Sequence, residues 1–406
     1  MQNNFATSIF ATHDLDRYAI LKPDSGLHYS LERHKSGQAV TNARLKATPC
    51  IDFSRYKFET NFDWIKVGVT LPQPHLPVNV ARSIKNALSE QMSGGIYVRA
   101  GDGGGVSSRE LTLQIFDPNY RRVAAVLALL VERYGLEGTR GAIPEHRFLG
   151  FELALDAFPR VSKVQDEAEL VLRRVQMTDL LRKHFMLEAL FTTGDFATTR
   201  DLLRCYNETS LLLRLGSDQG KLAPKVLFSS LNTALCLESH FQMPIDSTVY
   251  VGAVEREMRY KIYDKIKDRM KNDAEKTYVA LSPEECCSRI EVTLDGMSGS
   301  ETVPQALGLD TISSIGRFKW EALRTILFNF VLPTFAVDDS GSVCSTELAI
   351  FRRTGAFGLN LHQRAKSLTD DRMSPLGPRG RMIAYDKLNE RIARKMKETG
   401  RKFCES

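Results

Sequence analysis

Between Phe62 and Phe158 the hydrophobic period switches back and forth between two and 3.6 residues, and this constrains the fold more tightly than any other feature of the sequence. FDWIKVGVTL has the composition of a strand. After the turn PQPHLP, the run VNVARSIKNALSEQM places its apolar residues at helical spacing. GGIYVRAGDGGGVSSRELTLQIF reads as two strands around a glycine-rich tip, NYRRVAAVLALLVERYGL (Asn119 to Leu136) as an amphipathic helix, and RFLGFELALDAF (Arg147 to Phe158) as a further strand. Gly101, Gly103, Gly104 and Gly105 do not make a phosphate cradle, since no Lys-Ser pair follows and no helix opens there. The resulting order, β-α-β-β-α-β, defines an α+β fold: a ferredoxin/RRM-like antiparallel sheet with helices on one face and the other face open for a ligand.

Chemistry belongs on that open face. Along RFLGFELALDAF, Leu149, Phe151, Leu153 and Leu155 point one way, while Gly150, Glu152, Ala154 and Asp156 point the other. Four positions of a regular strand separate the two carboxylates by about 13 Å, so a neighbouring strand has to help them clasp one ion. SRIEVTL supplies Glu291 as the third partner, and the set Glu152, Asp156 and Glu291 suits Mg2+ or Mn2+, which prefer oxygen ligands.

A second group of strands runs from Thr248 to Leu294. Alternation in RYKIYDKIKDR puts Lys261, Tyr263 and Lys265 on one face, and in SRIEVTL it aligns Arg289, Glu291 and Thr293. A tyrosine between two cations is a candidate nucleophile: the lysines favour its phenolate and hold a phosphodiester for attack. Tyr250 and Tyr260 lie close enough in sequence to compete for that role. A strand whose polar face is merely solvated has the same pattern.

The rest divides by composition. Residues 1–60 read as an arm or small irregular subdomain, 61–160 as the βαββαβ half and 161–245 as a helical insertion. Residues 246–336 carry the second strands, and 337–406 a linker and a basic C-terminal helix. The insertion rests on DEAELVLRRVQMTDLLRKHFMLEALF and ATTRDLLRCYNETSLLLRL, whose leucines fall at helical spacing, and FKWEALRTILFNFVLP reads as a long helix. YDK recurs at Tyr385 to Lys387 in a helical context. No apolar run is long enough to span a bilayer, and the start lacks the basic-then-apolar pattern of a secretory signal, so the expectation is a cytoplasmic protein without a membrane partner. Seven cysteines without a C-x-x-C pair fit a reducing compartment, and a net charge of +6 permits a polyanionic partner. P-loop, dinucleotide, G-x-S-x-G and H-E-x-x-H signatures are missing.

FLGFELALDAF, TVYVGAVEREMRYKIYDKIKDR and SRIEVTL together resemble the replication initiation factor family, the tyrosine endonucleases that initiate replication of rolling-circle plasmids and filamentous phages. The resemblance spans about Phe62 to Leu294 and rests on the acids at Glu152 and Asp156, the Tyr263-Asp264-Lys265 strand end and the Arg289-x-Glu291 strand. It implies an enzyme that nicks and rejoins one strand of origin DNA through a covalent 5′-phosphotyrosyl intermediate and leaves a 3′ hydroxyl as primer. Tyr263, Lys261 and Lys265 would be catalytic, and Mg2+ or Mn2+ would sit on Glu152, Asp156 and Glu291. Single-stranded or hairpin origin DNA would meet Arg259, Arg289, Arg391, Arg394 and Lys395, with a host helicase and a second copy of the chain as further partners. A histidine-hydrophobe-histidine motif is absent, and Gly150 stands where the family's first acidic strand has arginine. A non-catalytic nucleic-acid-binding protein, an interaction protein and a water-using metal nuclease are the competing classes.

Overall fold

The alternation read from Phe62 onward becomes strand β1, Tyr56–His75, followed by α1, Pro77–Ala87, β2, Ile96–Ala100, β3, Ser108–Phe116, α2, Tyr120–Tyr134, and β4, Arg147–Pro159. A computed structural model of the chain describes residues 4–12, 15–22, 25–34, 44–101, 107–137, 146–186, 203–206, 211–215, 243–252, 257–269, 278–298, 301–337, 341–369 and 382–405. These strands lie in the order β2-β3-β1-β4, every neighbour antiparallel, as the split βαβ reading requires. Each helix has a chemical reason to start where it does. Pro77 opens α1, its missing N–H costing nothing in the first turn. The Asn119 side chain accepts from the Arg122 N–H to cap α2, and Gly135 at φ 65° closes it. Val123, Val126, Leu127 and Leu130 of α2 join Ile65, Val67 and Val69 of β1 in one apolar core.

The sheet continues through the second half of the chain. Strands β5, Leu203–Tyr206, β6, Leu211–Leu215, β7, Thr248–Val251, β8, Met258–Lys265, and β9, Cys287–Asp295, extend it to nine in the order β2-β3-β1-β4-β9-β8-β7-β5-β6. The two halves meet in the antiparallel β4–β9 ladder, where Glu152 faces Thr293 and Asp156 faces Arg289. Gly150 faces Asp295 in that ladder, and a Cβ there would lie 2.9 Å from the Leu294 carbonyl oxygen, so glycine lets the strands close at their end.

Three sequence expectations are corrected. The helix expected in ATTRDLLRCYNETSLLLRL is replaced, within the described residues, by β5 and β6; leucine runs this short carry no decisive period, and an open sheet edge pairs them. The long helix expected in FKWEALRTILFNFVLP becomes two short turns, Trp320–Leu323 and Arg324–Leu327, and a strand, Val331–Ala336. The N-terminal stretch contains regular strands: Asn4–Ala6, His28–His34 and Arg44–Pro49 form a five-stranded sheet with Val331–Ala336 and Met382–Ala384.

Helix α3, Glu167–His184, lies between the two sheets, which explains why it has no single apolar stripe. Thr178 hydrogen-bonds Ser288 of β9 at 2.8 Å on one side, and His184 Nε2 lies 3.0 Å from the Tyr29 hydroxyl on the other. Its basic residues are buried and committed: Arg174 to Asp264 at 2.7 Å, Lys183 to Asp179 at 2.9 Å, and Arg182 to the Pro244 carbonyl at 2.8 Å. They are therefore no phosphate track. Helix α4, Ser345–Thr369, bends at Gly355, whose Cβ would stand 2.6 Å from the Lys183 Cα. The C-terminal helix α5, Asp386–Glu405, seats Ile392, Met396 and Phe403 in the core, with Phe403 against Phe62. Tyr385 is a core residue beside His184. Among the described residues no helix is long and apolar enough to cross a membrane.

Candidate active site

The sheet face opposite α3 and α5 collects the polar residues of five strands because cross-strand partners share a face. Lys261 stands opposite Glu291, Tyr263 opposite Arg289 and Arg259 opposite Thr293, with Glu152 and Asp156 one strand further on. A bulge in β1 adds one more acid. The register against β4 shifts between Phe62 and Trp64, and the extra residue, Asp63, turns its carboxylate onto this face. Its carbonyl oxygen accepts the N–H of Asp117, which pins the bulge.

Carboxylate oxygens of Asp63, Glu152 and Glu291 lie within 4.8 Å of one another. Asp156, expected among the ligands, is placed elsewhere: Arg289 grips it with two hydrogen bonds of 2.6 and 2.7 Å, and the same guanidinium reaches Asp63 at 3.1 and 3.2 Å. Asp156 therefore orients Arg289, and Asp63 takes its place in the acid cluster. Sequence alone missed Asp63 because a bulge leaves no period-two mark, and the strand carries other charged residues such as Glu59 and Lys66.

Lys261 Nζ sits 3.0 Å from Glu291 and 3.7 Å from Glu152. Tyr263 donates its hydroxyl proton to Glu291 Oε1 at 2.6 Å. Thr293 donates its hydroxyl to Glu152. Lys265 turns to the rim and pairs with Asp268 at 3.1 Å. Tyr260 points into the core and donates to the Ile326 carbonyl, while Tyr250 shares the polar face; of these tyrosines, Tyr263 is the one joined to the cluster. Arg391, Arg394 and Lys395 are on α5, which packs behind the sheet, so they do not converge on the site. Arg391 lies over the Phe53 ring, and Lys395 pairs with Glu398 at 3.2 Å.

The electrostatics follow from burial and a surplus of acid. Burial, reinforced by Glu291 and Glu152 against the opposing pull of Arg289, holds the Asp63 carboxyl well above its ordinary range. Burial and Glu291 likewise raise Glu152. Burial also works to raise Glu291, but Lys261 and Arg289 overcome it and leave that group below its usual value. The Tyr263 phenol is pushed far up by burial and by Glu291. The lysines therefore do not create a resting phenolate, as the sequence had suggested: Lys261 pairs with the carboxylates and not with the phenol, while its side chain stays partly exposed to the cleft, and the phenol keeps its proton in a hydrogen bond to a base.

Two clefts open on this face, one of about 800 Å³ that includes Tyr263, Glu291, Lys265 and Tyr278, and one of about 790 Å³ that includes Trp64, Arg259 and Thr293. Glu152, Tyr206, Tyr250 and Lys261 line both. A carboxylate triad with Glu152 and Glu291 buried and Asp63 half-buried shares this face with a hydrogen-bonded phenol and several lysines, and oxygen donors so placed can hold a divalent cation. No protein-family model matches the chain, and no curated protein does. A solved rolling circle replication initiator protein from Geobacillus stearothermophilus is similar at a TM-score of 0.27 and 13% identity, over 73% of this chain and 96% of that one. Likeness at that level carries no argument about this chain.

Proposed function

We propose that the chain is a metal-dependent tyrosine DNA strand transferase that initiates rolling-circle replication by nicking and rejoining one strand at an origin. The observation that carries this reading is the 2.6 Å hydrogen bond from Tyr263 to Glu291, one of three clustered carboxylates, in a cleft with a cationic rim. Its hard oxygen donors fit Mg2+ or Mn2+, and their excess negative charge calls for a cation. A divalent ion held by Asp63, Glu152 and Glu291 would polarise a non-bridging phosphate oxygen.

The chain's own groups account for the remainder. Glu291 takes the phenolic proton as the Tyr263 Oη–P bond forms and the P–O3′ bond breaks. The departing 3′ oxygen keeps the bond pair and takes a proton from water. Arg289, held by Asp156, and Lys261 offset the charge that builds on the phosphate. A phosphotyrosyl ester conserves the energy of the broken bond, so the reverse attack rejoins the strand without a nucleotide cofactor. The substrate is single-stranded or hairpin DNA, because unpaired backbone fits a cleft on a sheet face, and the compartment is the cytoplasm, where a replicon resides.

The test is a denaturing gel of the protein and its Tyr263→Phe variant with Mn2+ and labelled single-stranded DNA from the parent replicon. A labelled protein band that requires metal and disappears in the variant supports the transferase. Cleavage without the band replaces it with a water-using nuclease in which Tyr263 merely orients Glu291. DNA retention with neither cleavage nor band leaves a binding protein.

A further inference from the structure

The nucleophile and the acid cluster are not concentric. Along β8, Arg259, Lys261 and Tyr263 occupy successive positions of one face, paired across to Thr293, Glu291 and Arg289. Lys261 and Glu291 mark the centre of the cluster, with Tyr263 to one side and Arg259 to the other. An in-line displacement puts the attacking and leaving oxygens on opposite sides of phosphorus. A phosphate held at Lys261 and struck from the Tyr263 side therefore releases its 3′ oxygen toward the cleft that contains Arg259.

That cleft is furnished for unpaired nucleotides. The Arg204 guanidinium lies 5.6 Å from the centre of the Tyr250 ring, whose edge-to-face partner is Tyr206 at 5.7 Å. On the opposite wall Lys66, paired with Asp295, has its Nζ 5.3 Å from the ring centre of the largely buried Trp64, and Phe116 shares the lining. Aromatic faces beside guanidinium and ammonium groups stack bases and meet phosphates without demanding a sequence. A volume of about 790 Å³ lies within the range of small-ligand sites. We propose that the cleft lined by Trp64, Phe116, Tyr206, Tyr250 and Arg259 holds the nucleotides on the 3′-hydroxyl side of the broken phosphodiester. It is then the acceptor subsite in rejoining. This assignment rests on the transferase reading and adds a polarity to it.

The experiment uses the trapped covalent adduct of the full chain, to which 3′-hydroxyl oligonucleotides of the nick site are added as acceptors. Rejoining is followed against acceptor concentration for the wild type, Tyr250→Leu and, as a second variant, Phe116→Leu. Shortening the acceptor from its 5′ end is expected to raise the wild-type half-saturating concentration at least tenfold and to cost the variants little more, because they have already lost the stacking. Shortening the DNA on the 5′-phosphate side is expected to cost the wild type and Phe116→Leu, whose side chain lines this cleft and not the other, the same factor. Equal losses in wild type and variants on acceptor shortening overturn the subsite while leaving the transferase standing, and so does a variant-dependent loss confined to the other side. Failure of the wild type to form any adduct overturns both.

Discussion

Strand β8 presents two tyrosine–carboxylate pairs on its two faces, and they serve different ends. On the α3 side, where the pair also borders the edge of the larger cleft, Tyr18 donates to Asp264 at 2.8 Å, and Arg174 closes the arrangement at 2.7 Å. On the cleft side Tyr263 donates to Glu291 at 2.6 Å. Burial raises both phenols far above their ordinary value, so the chemistry of the pair itself does not distinguish them. Charge balance does. Around α3, Arg174 answers Asp264 and Lys183 answers Asp179, whereas on the cleft side Asp63, Glu152, Asp156 and Glu291 share Arg289 and Lys261. Paired charges between the sheets, with Arg182 held by backbone carbonyls, fix the fold, and the surplus of acids facing the cleft leaves room for a cation.

The largest effect that would break this contrast is catalytic. Glu291→Gln should lower single-turnover adduct formation by about 10²–10⁴-fold, the usual worth of a positioned base. A comparable loss from Asp264→Asn, with stability unchanged, would show that the two faces are not separable. Next comes stability. Arg174→Met strands the Asp264 carboxylate between the sheets and should cost about 3–5 kcal/mol in urea unfolding, with Arg174→Met/Asp264→Leu recovering much of it. A single variant within 1 kcal/mol (~) of wild type would sink the claim that this pair is structural.

Smaller effects follow from protonation. Burial depresses His184 from 6.5 to about 4. A group with a lowered folded value binds protons more readily when unfolded, so its contribution is complete above the unfolded value and fades as pH falls from 6.5 toward 4. The loss by pH 5 should be about 2 kcal/mol, and His184→Gln should flatten that limb of the melting-temperature profile. Asp63 has the opposite sign. Its raised folded value means that ionisation costs stability as pH climbs from the unfolded aspartate range through the folded one. Asp63→Asn should therefore match or exceed the metal-free wild type at neutral pH, by on the order of 1 kcal/mol, and lose the stabilisation that saturating Mn2+ gives the parent. A thermal-shift titration reads both.

Much of the cleft face was legible because a period of two dictates which side chains share a face once the ladders form. Glu152, Glu291, Lys261 and Tyr263 converge for that reason alone. What was not legible depends on register and on partners. Asp63 arrives through a bulge, Asp156 is claimed by the arginine that pairs across from it, and α3 looks like a solvated basic helix until a second sheet covers it. Leu203–Tyr206 and Leu211–Leu215 are too short to declare a period and became strands because β7 offered an edge.

The β4–β9 ladder has one more consequence. Asp63 and Glu152 come from the first half of the chain, Tyr263 and Glu291 from the second, and that seam joins them. A chain still being synthesised, or one cleaved and parted along the seam, owns half a set of ligands or a lone phenol. On the transferase reading, reactivity toward a phosphodiester is thus withheld until the polypeptide has zipped shut, and the act of folding is itself the safety catch.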